Sequence, residues 1–135
     1  MMVKFTIYGK PMTKGRPRFT KQGLTYTPKE TVNYENLVRL EYQNQVGEYF
    51  QGKIEMHICA YFEIPKSTSK KRREQLKDET HYYDKRPDYD NICKIVTDAL
   101  NKVAYSDDGQ IVKMIVEKKY SERPRVEVEI KEVTT

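Results

Sequence analysis

The order of hydrophobic patterns in this chain predicts one α/β (α+β) domain, in which two main helices pack on a small mixed sheet. Alternating segments and longer helical patterns follow one another as strand, helix, strand, basic segment, helix, strand and strand. A chain of 135 residues supports one hydrophobic core but hardly two. Because no internal repeat or long linker divides it, we expect a single domain over residues 1–135.

The N-terminal residues predict a strand followed by an extended basic loop. Val3, Phe5 and Ile7 alternate with polar neighbours over residues 3–8, which is typical of a short strand with one buried face. The segment 14–19, KGRPRF, cannot be helical through its proline. Its three cationic side chains are therefore expected on extended backbone.

A helix is predicted from Thr27 to about Val46. Thr27 can cap the helix, the proline after it suits the first helical position, and Glu30 completes a capping box. Gly47 is the expected stop. Before the helix, Gly23 is expected to turn the chain.

The next two segments differ sharply in character. Residues 53–63 alternate apolar and polar side chains and predict a half-buried strand. Residues 66–77 carry six basic side chains and one acidic one. Such a run is usually a solvated or mobile surface segment, in which Ser69 could cap a short helix. Contact with phosphate is the second interpretation, because the run precedes an acidic motif.

Residues 90–103 show the clearest helical pattern in the chain. Their apolar side chains recur at intervals of three and four residues and form one stripe, with charged and amide side chains opposite. Residues 111–120 and 126–130 then alternate like strands, and the turn between them predicts a hairpin.

Composition favours a polyanionic partner. The net charge is +5 and the mean hydropathy is -0.87. Residues 1–29 hold seven basic residues and no acidic one, so the rest of the chain is slightly acidic. A basic part beside an acidic cluster is expected where one part holds phosphate and the other holds metal. Solubility alone also explains a basic surface.

Several function classes lack their sequence signals. No apolar run reaches membrane-spanning length and no signal-peptide pattern is present, so we expect a cytoplasmic protein without a membrane partner. Cys59 and Cys93 lack the C-x-x-C spacing of zinc or redox sites and are expected to be small buried side chains. P-loop, dinucleotide-binding and serine-hydrolase motifs are absent, so no organic cofactor is expected.

The chemistry-bearing residues cluster around the last predicted helix. Asp88 and Asp90 open it, and Lys94 follows one turn later; Asp107 and Asp108 come after its far end. Clustered carboxylates suit Mg²⁺, for which Mn²⁺ can substitute, because this ion takes a few protein oxygens and completes its shell with water and phosphate. The spacing alone leaves open which acid of the second pair is the ligand.

A purely structural interpretation of the same residues also stands. Asp88 or Asp90 can cap the helix, and Asp90 and Lys94 can form a surface ion pair. Residues 107–109 are typical of a turn. A helix of this length separates its two ends by about 20 Å, so Asp108 approaches Asp88 only if the chain returns along the next strand.

These residues resemble the RusA-type Holliday junction resolvases, the crossover-junction endodeoxyribonucleases of bacteria and their phages. Residues 86–112 are similar to the family pattern D-x-D-N-x-x-K … D-A-L … D-D-x-x-V in order and spacing. Residues 9–19 resemble the N-terminal stretch of a phage and Gram-positive subset. The resemblance implies a magnesium-dependent homodimer that nicks four-way DNA junctions symmetrically in recombination and repair.

The resemblance also implies roles for individual residues. Asp88, Asp90 and Asp108 would be the metal-binding carboxylates and Lys94 the catalytic lysine, with the acids of two subunits approaching each other across the DNA-binding face. The side chains that the basic segments and the resemblance suggest as DNA contacts are Lys14, Arg16, Arg18, Lys70, Lys71, Arg72, Arg73 and Lys118.

Two other functions remain compatible with the sequence. One is a non-catalytic nucleic-acid-binding module of phage or bacterial origin, whose acids only cap and turn. The other is a small phage regulatory protein that acts through protein contacts. Metal-dependent nicking separates the enzyme from the module, and salt-dependent DNA binding separates both from the regulator.

Overall fold

The chain forms six strands and three α-helices, and the computed structural model describes all residues 1–135. The elements in chain order are β1 (Met2–Tyr8), β2 (Arg18–Phe19), β3 (Thr25–Tyr26), α1 (Lys29–Gln45), β4 (Ile54–Glu63), α2 (Lys70–Leu76), α3 (Tyr89–Leu100), β5 (Ile111–Ser121) and β6 (Arg125–Glu132). None of the helices has the length and apolar composition that spanning a bilayer requires.

Four strands form one mixed sheet in the order β1-β6-β4-β5, while β2 and β3 form a separate two-stranded hairpin. β4 pairs parallel with β5 and antiparallel with β6, and β6 pairs antiparallel with β1. Helices α1 and α3 contact each other, and they pack on β1 and β5, respectively. Side chains such as Phe5, Met56 and Val128 are buried in one core with those of the two helices. The predicted α+β domain with two main helices is confirmed.

The predicted hairpin of the last two strands is wrong. β5 and β6 run in opposite directions, but β4 lies between them and pairs with both. The middle of β4 is buried on both faces. Ile58 and Ala60 are buried on the face that the helices cover, and the alternating residues Cys59 and Tyr61 are buried on the opposite face. A strand that is buried on both faces belongs inside a sheet rather than at its edge.

The predicted capping box of α1 is also wrong. The N-cap position is Pro28, without a side-chain cap, so Thr27 and Glu30 do not form the reciprocal pair. Instead, the buried hydroxyl of Thr31 accepts the backbone N–H of Gly15 at 2.9 Å. The first turn of α1 therefore holds the basic loop in place.

Three other local predictions are confirmed. Gly47, with φ +79, follows the end of α1, and Gly23, with φ +81, turns the chain between β2 and β3. The Ser69 hydroxyl caps α2 by accepting the N–H of Arg72 at 3.2 Å. The basic run that was expected to be solvated is thus a capped helix with exposed cationic side chains.

Helix α3 ends three residues earlier than its apolar pattern predicts. The N–H groups of Val103 and Ala104 both donate to the carbonyl of Leu100, and Lys102 takes a φ of +69. This turn reverses the chain after α3, so that β5 runs back beside the helix. The return path is what brings the second acidic pair near α3.

Candidate active site

One flank of α3 and the adjoining part of β5 form a groove of about 450 Å³. The apolar stripe of α3 is buried in the core, which turns Asp90, Lys94 and Asp98 to the outer flank. Asp108 stands in the short 3₁₀ turn just before β5 and lines the same groove. Two of the predicted carboxylates and the predicted lysine therefore share one groove, which we call the acidic groove.

Asp88 lies apart from the acidic groove. It occupies the N-cap position of α3 and lines a neighbouring groove together with Arg86. Within one chain, no three side chains of His, Cys, Asp or Glu come together in an arrangement that could hold a metal ion. A single chain thus presents Asp90 and Asp108 in one groove and Asp88 beside it, and the metal assignment stays a prediction.

The two acids of the second pair have different surroundings. Asp107 Oδ2 accepts the N–H of Gly109 at 2.9 Å, and the side chain of Gln110 bonds back to the Asp107 N–H to complete a capping box. Asp108 makes no ion pair or side-chain hydrogen bond and faces the acidic groove. Its oxygens are free, which favours Asp108 over Asp107 as a cation ligand.

Asp88 and Asp90 are likewise largely uncommitted. Asp88 accepts no capping hydrogen bond despite its position, and Asp90 Oδ1 accepts only the N–H of Asn91 at 3.0 Å. Neither carboxylate forms an ion pair with a cationic side chain. Mg²⁺ binds carboxylate oxygens, and a protein usually supplies only one or two of them while water completes the coordination shell. The free carboxylates of Asp88, Asp90 and Asp108 are therefore chemically suitable ligands for this ion.

Lys94 stands beside the acids on the same helix flank. Its Nζ lies 3.6 Å from Oδ2 of Asp98, and its side chain is 61% exposed, so the ammonium can also reach a ligand in the acidic groove. Asp98 was not among the predicted site residues. The signal was present in the sequence, because Asp90, Lys94 and Asp98 recur at intervals of four residues and must share one helix face.

The acidic groove carries a negative potential. Burial raises the pKa of the Cys93 thiol, and the charges of Asp90, Asp98 and Asp108 raise it further. Three carboxylates thus lie near one half-buried position; Lys94 opposes them in the groove, and the Lys14 ammonium also lies 3.4 Å from Asp98. A groove with this balance attracts a cation and repels a bare phosphate.

The basic loop is anchored to both helices by Lys14. Its Nζ lies 2.8 Å from Oε2 of Glu35 on α1 and 3.4 Å from Oδ2 of Asp98 on α3. Burial alone would lower the pKa of Lys14, but the hydrogen bond and charge of Glu35, with the charge of Asp98, raise it above the ordinary value. Lys14 is therefore engaged by two carboxylates within the protein rather than free to bind a DNA phosphate.

Arg16 and Arg18 differ from Lys14 in being exposed and without ion-pair partners. Gly15 lies so close to α1 that a Cβ there would come within 2.7 Å of the Thr31 hydroxyl oxygen. Because the backbone is held at Gly15, the two arginines that follow project from a fixed base. They remain predicted DNA contacts.

Of the four predicted contacts on α2, Lys70, Lys71 and Arg72 are exposed and Arg73 is half-buried. Arg72 donates to the side chain of Gln75, and Arg73 donates to the carbonyl of Pro65, while Lys70 and Lys71 have no partner in the chain. Lys77, directly after α2, pairs with Glu122 in the β5–β6 connection. Helix α2 therefore lies next to the β5–β6 connection. None of its cationic side chains lines the acidic groove.

Lys118 holds the segment that leads into α3. Its Nζ donates to the carbonyls of Lys85 at 2.7 Å and Pro87 at 2.9 Å, directly before Asp88. The N–H of Tyr83 also donates to the Lys118 carbonyl at 2.8 Å. The ammonium group that was predicted to contact DNA thus positions the backbone beside Asp88.

We expect Lys118→Met to lower stability by about 1–2 kcal/mol, because two charge-assisted hydrogen bonds to carbonyls are lost. The salt dependence of DNA affinity should stay that of the wild type, since an ammonium used inside the protein releases no DNA counterions. Thermal unfolding and titrations at several salt concentrations measure the two effects. A salt slope lowered by about one would instead identify Lys118 as a phosphate contact.

The fold and site define a small basic α+β domain with an acidic groove beside an exposed basic loop, a combination suited to phosphate esters. The model of the family described as Endodeoxyribonuclease RusA matches residues 8–131. The chain therefore belongs to the RusA endodeoxyribonuclease family, which confirms the resemblance found in its motifs.

Two relatives extend this finding over most of the chain. The uncharacterized protein YqaN of Bacillus subtilis (strain 168) is 38% identical over 138 residues, which cover 98% of this chain and 97% of the relative. The crossover junction endodeoxyribonuclease rusA of Lactococcus phage r1t is 34% identical over 109 residues, which cover 80% of this chain and 77% of the relative.

Proposed function

We propose that this protein is a metal-dependent, structure-selective endodeoxyribonuclease that resolves four-way DNA junctions by hydrolysing phosphodiester bonds. The observation that carries the proposal is the shared groove of Asp90, Lys94 and Asp108 in a chain of the RusA family. The phage relative, which is named as a crossover junction endodeoxyribonuclease, supports the same activity. Recombination and repair in the cytoplasm are the processes in which such junctions arise.

In this proposal Asp88, Asp90 and Asp108 hold Mg²⁺, with Mn²⁺ as a substitute. When bound, the ion polarises the phosphodiester and makes hydroxide available near neutral pH. Lys94 stabilises the negative charge that builds on the phosphate in the transition state. Asp98 lies within 3.6 Å of the Lys94 ammonium and keeps it on the flank of α3 that faces the acidic groove.

We further propose that the active form is a homodimer. The resemblance to the RusA family implies this arrangement, in which the acids of two subunits approach each other across the DNA-binding face. Two-fold symmetry also matches the substrate, because a resolved junction needs two matching cuts. Light scattering should give a mass twice the 16.1 kDa of the chain.

A cleavage assay tests the activity directly. A labelled four-way junction and a linear duplex of the same sequence are incubated with Mg²⁺, with Mn²⁺ or with a chelator. We expect symmetric nicks in the junction that require the metal, and little cleavage of the duplex. Tight junction binding without nicks under either metal would favour the non-catalytic binding module, and absence of salt-dependent binding would favour the regulator.

We expect Arg16→Gln and Arg18→Gln each to weaken junction binding and to reduce the slope of log affinity against log salt by about one. Both side chains are exposed and lack a carboxylate partner, so each is free to neutralise a phosphate. Lys131→Gln is the matched control. Lys131 is exposed, has no ion-pair partner, and lies near the C-terminal end of β6, opposite the start of β1. An unchanged slope in both arginine variants would remove the basic loop from the DNA contacts.

A further inference from the structure

A second groove, also of about 450 Å³, lies on the far side of the α3 N-terminus. One wall is the segment 10–13 after β1, and the other is the segment 86–91 that leads into α3. The side chains of Phe62 and Tyr83 complete the lining. Asp88 is its only carboxylate, so we call it the basic groove.

The basic groove retains cations that the rest of the protein does not use. Lys10 and Arg86 are exposed, and neither has a carboxylate within ion-pair distance. The side chains of Thr13 and Asn91 make no hydrogen bond within the chain. The nearby Lys14, in contrast, is tied to Glu35 and Asp98. Two cations and two neutral polar groups therefore face one space without partners.

The aromatic residues of the basic groove act as a fixed support. The ring of Tyr83 stacks on Phe62 with centroids 4.2 Å apart and planes within 9°, and Lys118 Nζ lies 5.7 Å from the Tyr83 centroid. With these neighbours on its ring, Tyr83 is poorly placed to stack on a base. Its hydroxyl donates to the carbonyl of Arg86 at 3.2 Å and so holds that wall. The groove therefore offers charge and hydrogen bonds rather than a stacking platform.

The two grooves meet at the start of α3. Asp88 lines the basic groove and Asp90 lines the acidic groove, so these predicted ligands stand on the ridge between them. A DNA strand whose scissile phosphate lies on this ridge places a neighbouring phosphate to one side. On the acidic-groove side the carboxylates would be engaged by the metal ion and Lys94 would face the scissile phosphate, whereas Lys10 and Arg86 are uncommitted cations that attract the neighbouring phosphate.

We propose that the basic groove binds the phosphodiester group next to the scissile one, with Lys10 and Arg86 as its cationic contacts. The inference rests on the proposed endonuclease function and adds a substrate subsite to it. Thr13 and Asn91 supply neutral hydrogen bonds to the same phosphate. The subsite recognises the backbone, so it fixes the position of the strand without selecting a base.

The test combines neutralised phosphates with a protein variant. Junctions carry one uncharged methylphosphonate at successive positions around the mapped cut, and affinity is measured with Ca²⁺ in place of Mg²⁺ to prevent cleavage. For the wild type we expect about a tenfold loss when the phosphate adjacent to the cut is neutralised. Lys10→Gln/Arg86→Gln should be insensitive to that substitution and should lower the salt slope by about two.

Lys131→Gln is the control and should keep the wild-type sensitivity. Because Lys10 and Arg86 have no partners in the fold, the double variant should melt as the wild type does. Equal sensitivity of the double variant and the wild type to the neutral adjacent phosphate would overturn the subsite. The subsite would also be overturned if the double variant lost its sensitivity only to a neutral phosphate far from the cut. A wild type that never nicks junctions with Mg²⁺ or Mn²⁺ would instead refute the endonuclease function itself.

Discussion

Asp90→Asn is expected to slow junction nicking by at least about 10³-fold while junction affinity measured without Mg²⁺ is retained. Loss of one ligand charge removes several kcal/mol of metal-dependent transition-state stabilisation, and each 1.36 kcal/mol is tenfold in rate. Asp90 has no ion pair, and its only hydrogen bond is to the N–H of its neighbour Asn91. Single-turnover cleavage and thermal unfolding are the measurements.

The fold should tolerate this substitution. Asp90 shares the acidic groove with Asp98 and Asp108, so removing its charge relieves repulsion and should leave the melting temperature unchanged or slightly higher. Asp84→Asn is the matched control, because Asp84 is exposed and lines neither groove. A melting temperature lower by many degrees would show that Asp90 is structural, and undiminished nicking would exclude it from the active site.

Lys14→Met is expected to lower the free energy of unfolding by about 2–3 kcal/mol and the melting temperature by about 10 °C. The carboxylate of Glu35, a residue only 8% exposed, would lose the ammonium that lies 2.8 Å away. Breaking one side of a fully buried pair costs about 3–5 kcal/mol, and the 24% exposure of the Lys14 side chain reduces that figure. Urea unfolding followed by circular dichroism measures the loss.

A second variant separates the buried charge from other effects of the substitution. Lys14→Met/Glu35→Leu should recover most of the stability, because an apolar pair replaces the Lys14–Glu35 ion pair and Asp98 keeps Lys94 as a partner at 3.6 Å. The salt dependence of junction binding should match the wild type in this double variant. If Lys14→Met instead melted normally and lowered the salt slope, Lys14 would be the DNA contact that the sequence predicted.

Elements with strong local patterns were predictable from the sequence. The apolar stripe of α3 and the alternation in β4 each predicted a regular element, and both elements form, although α3 ends at Leu100 and the middle of β4 is buried on both faces rather than on one. The predicted capping box of α1 is absent because the helix begins later than expected, so that Pro28 rather than Thr27 occupies the N-cap position. The hairpin of β5 and β6 failed because pairing depends on which strand needs burial on both faces.

The candidate site divides in the same way. The positions of Asp88, Asp90 and Lys94 at the start of α3 follow from sequence spacing alone, and so does the presence of a second acidic pair. The order of the motifs also determined membership of the RusA family. These properties are local, because helical periodicity and capping preferences depend on residues a few positions apart.

Only the tertiary structure decided how the charged groups are used. It brought Asp108 back to the flank of α3, committed Asp107 to a turn, and engaged Lys14 and Lys118 inside the protein. It also left Lys10 and Arg86 without partners beside Asp88. An exposed and a paired lysine look identical in a sequence, because their difference lies in neighbours that the fold supplies from distant parts of the chain.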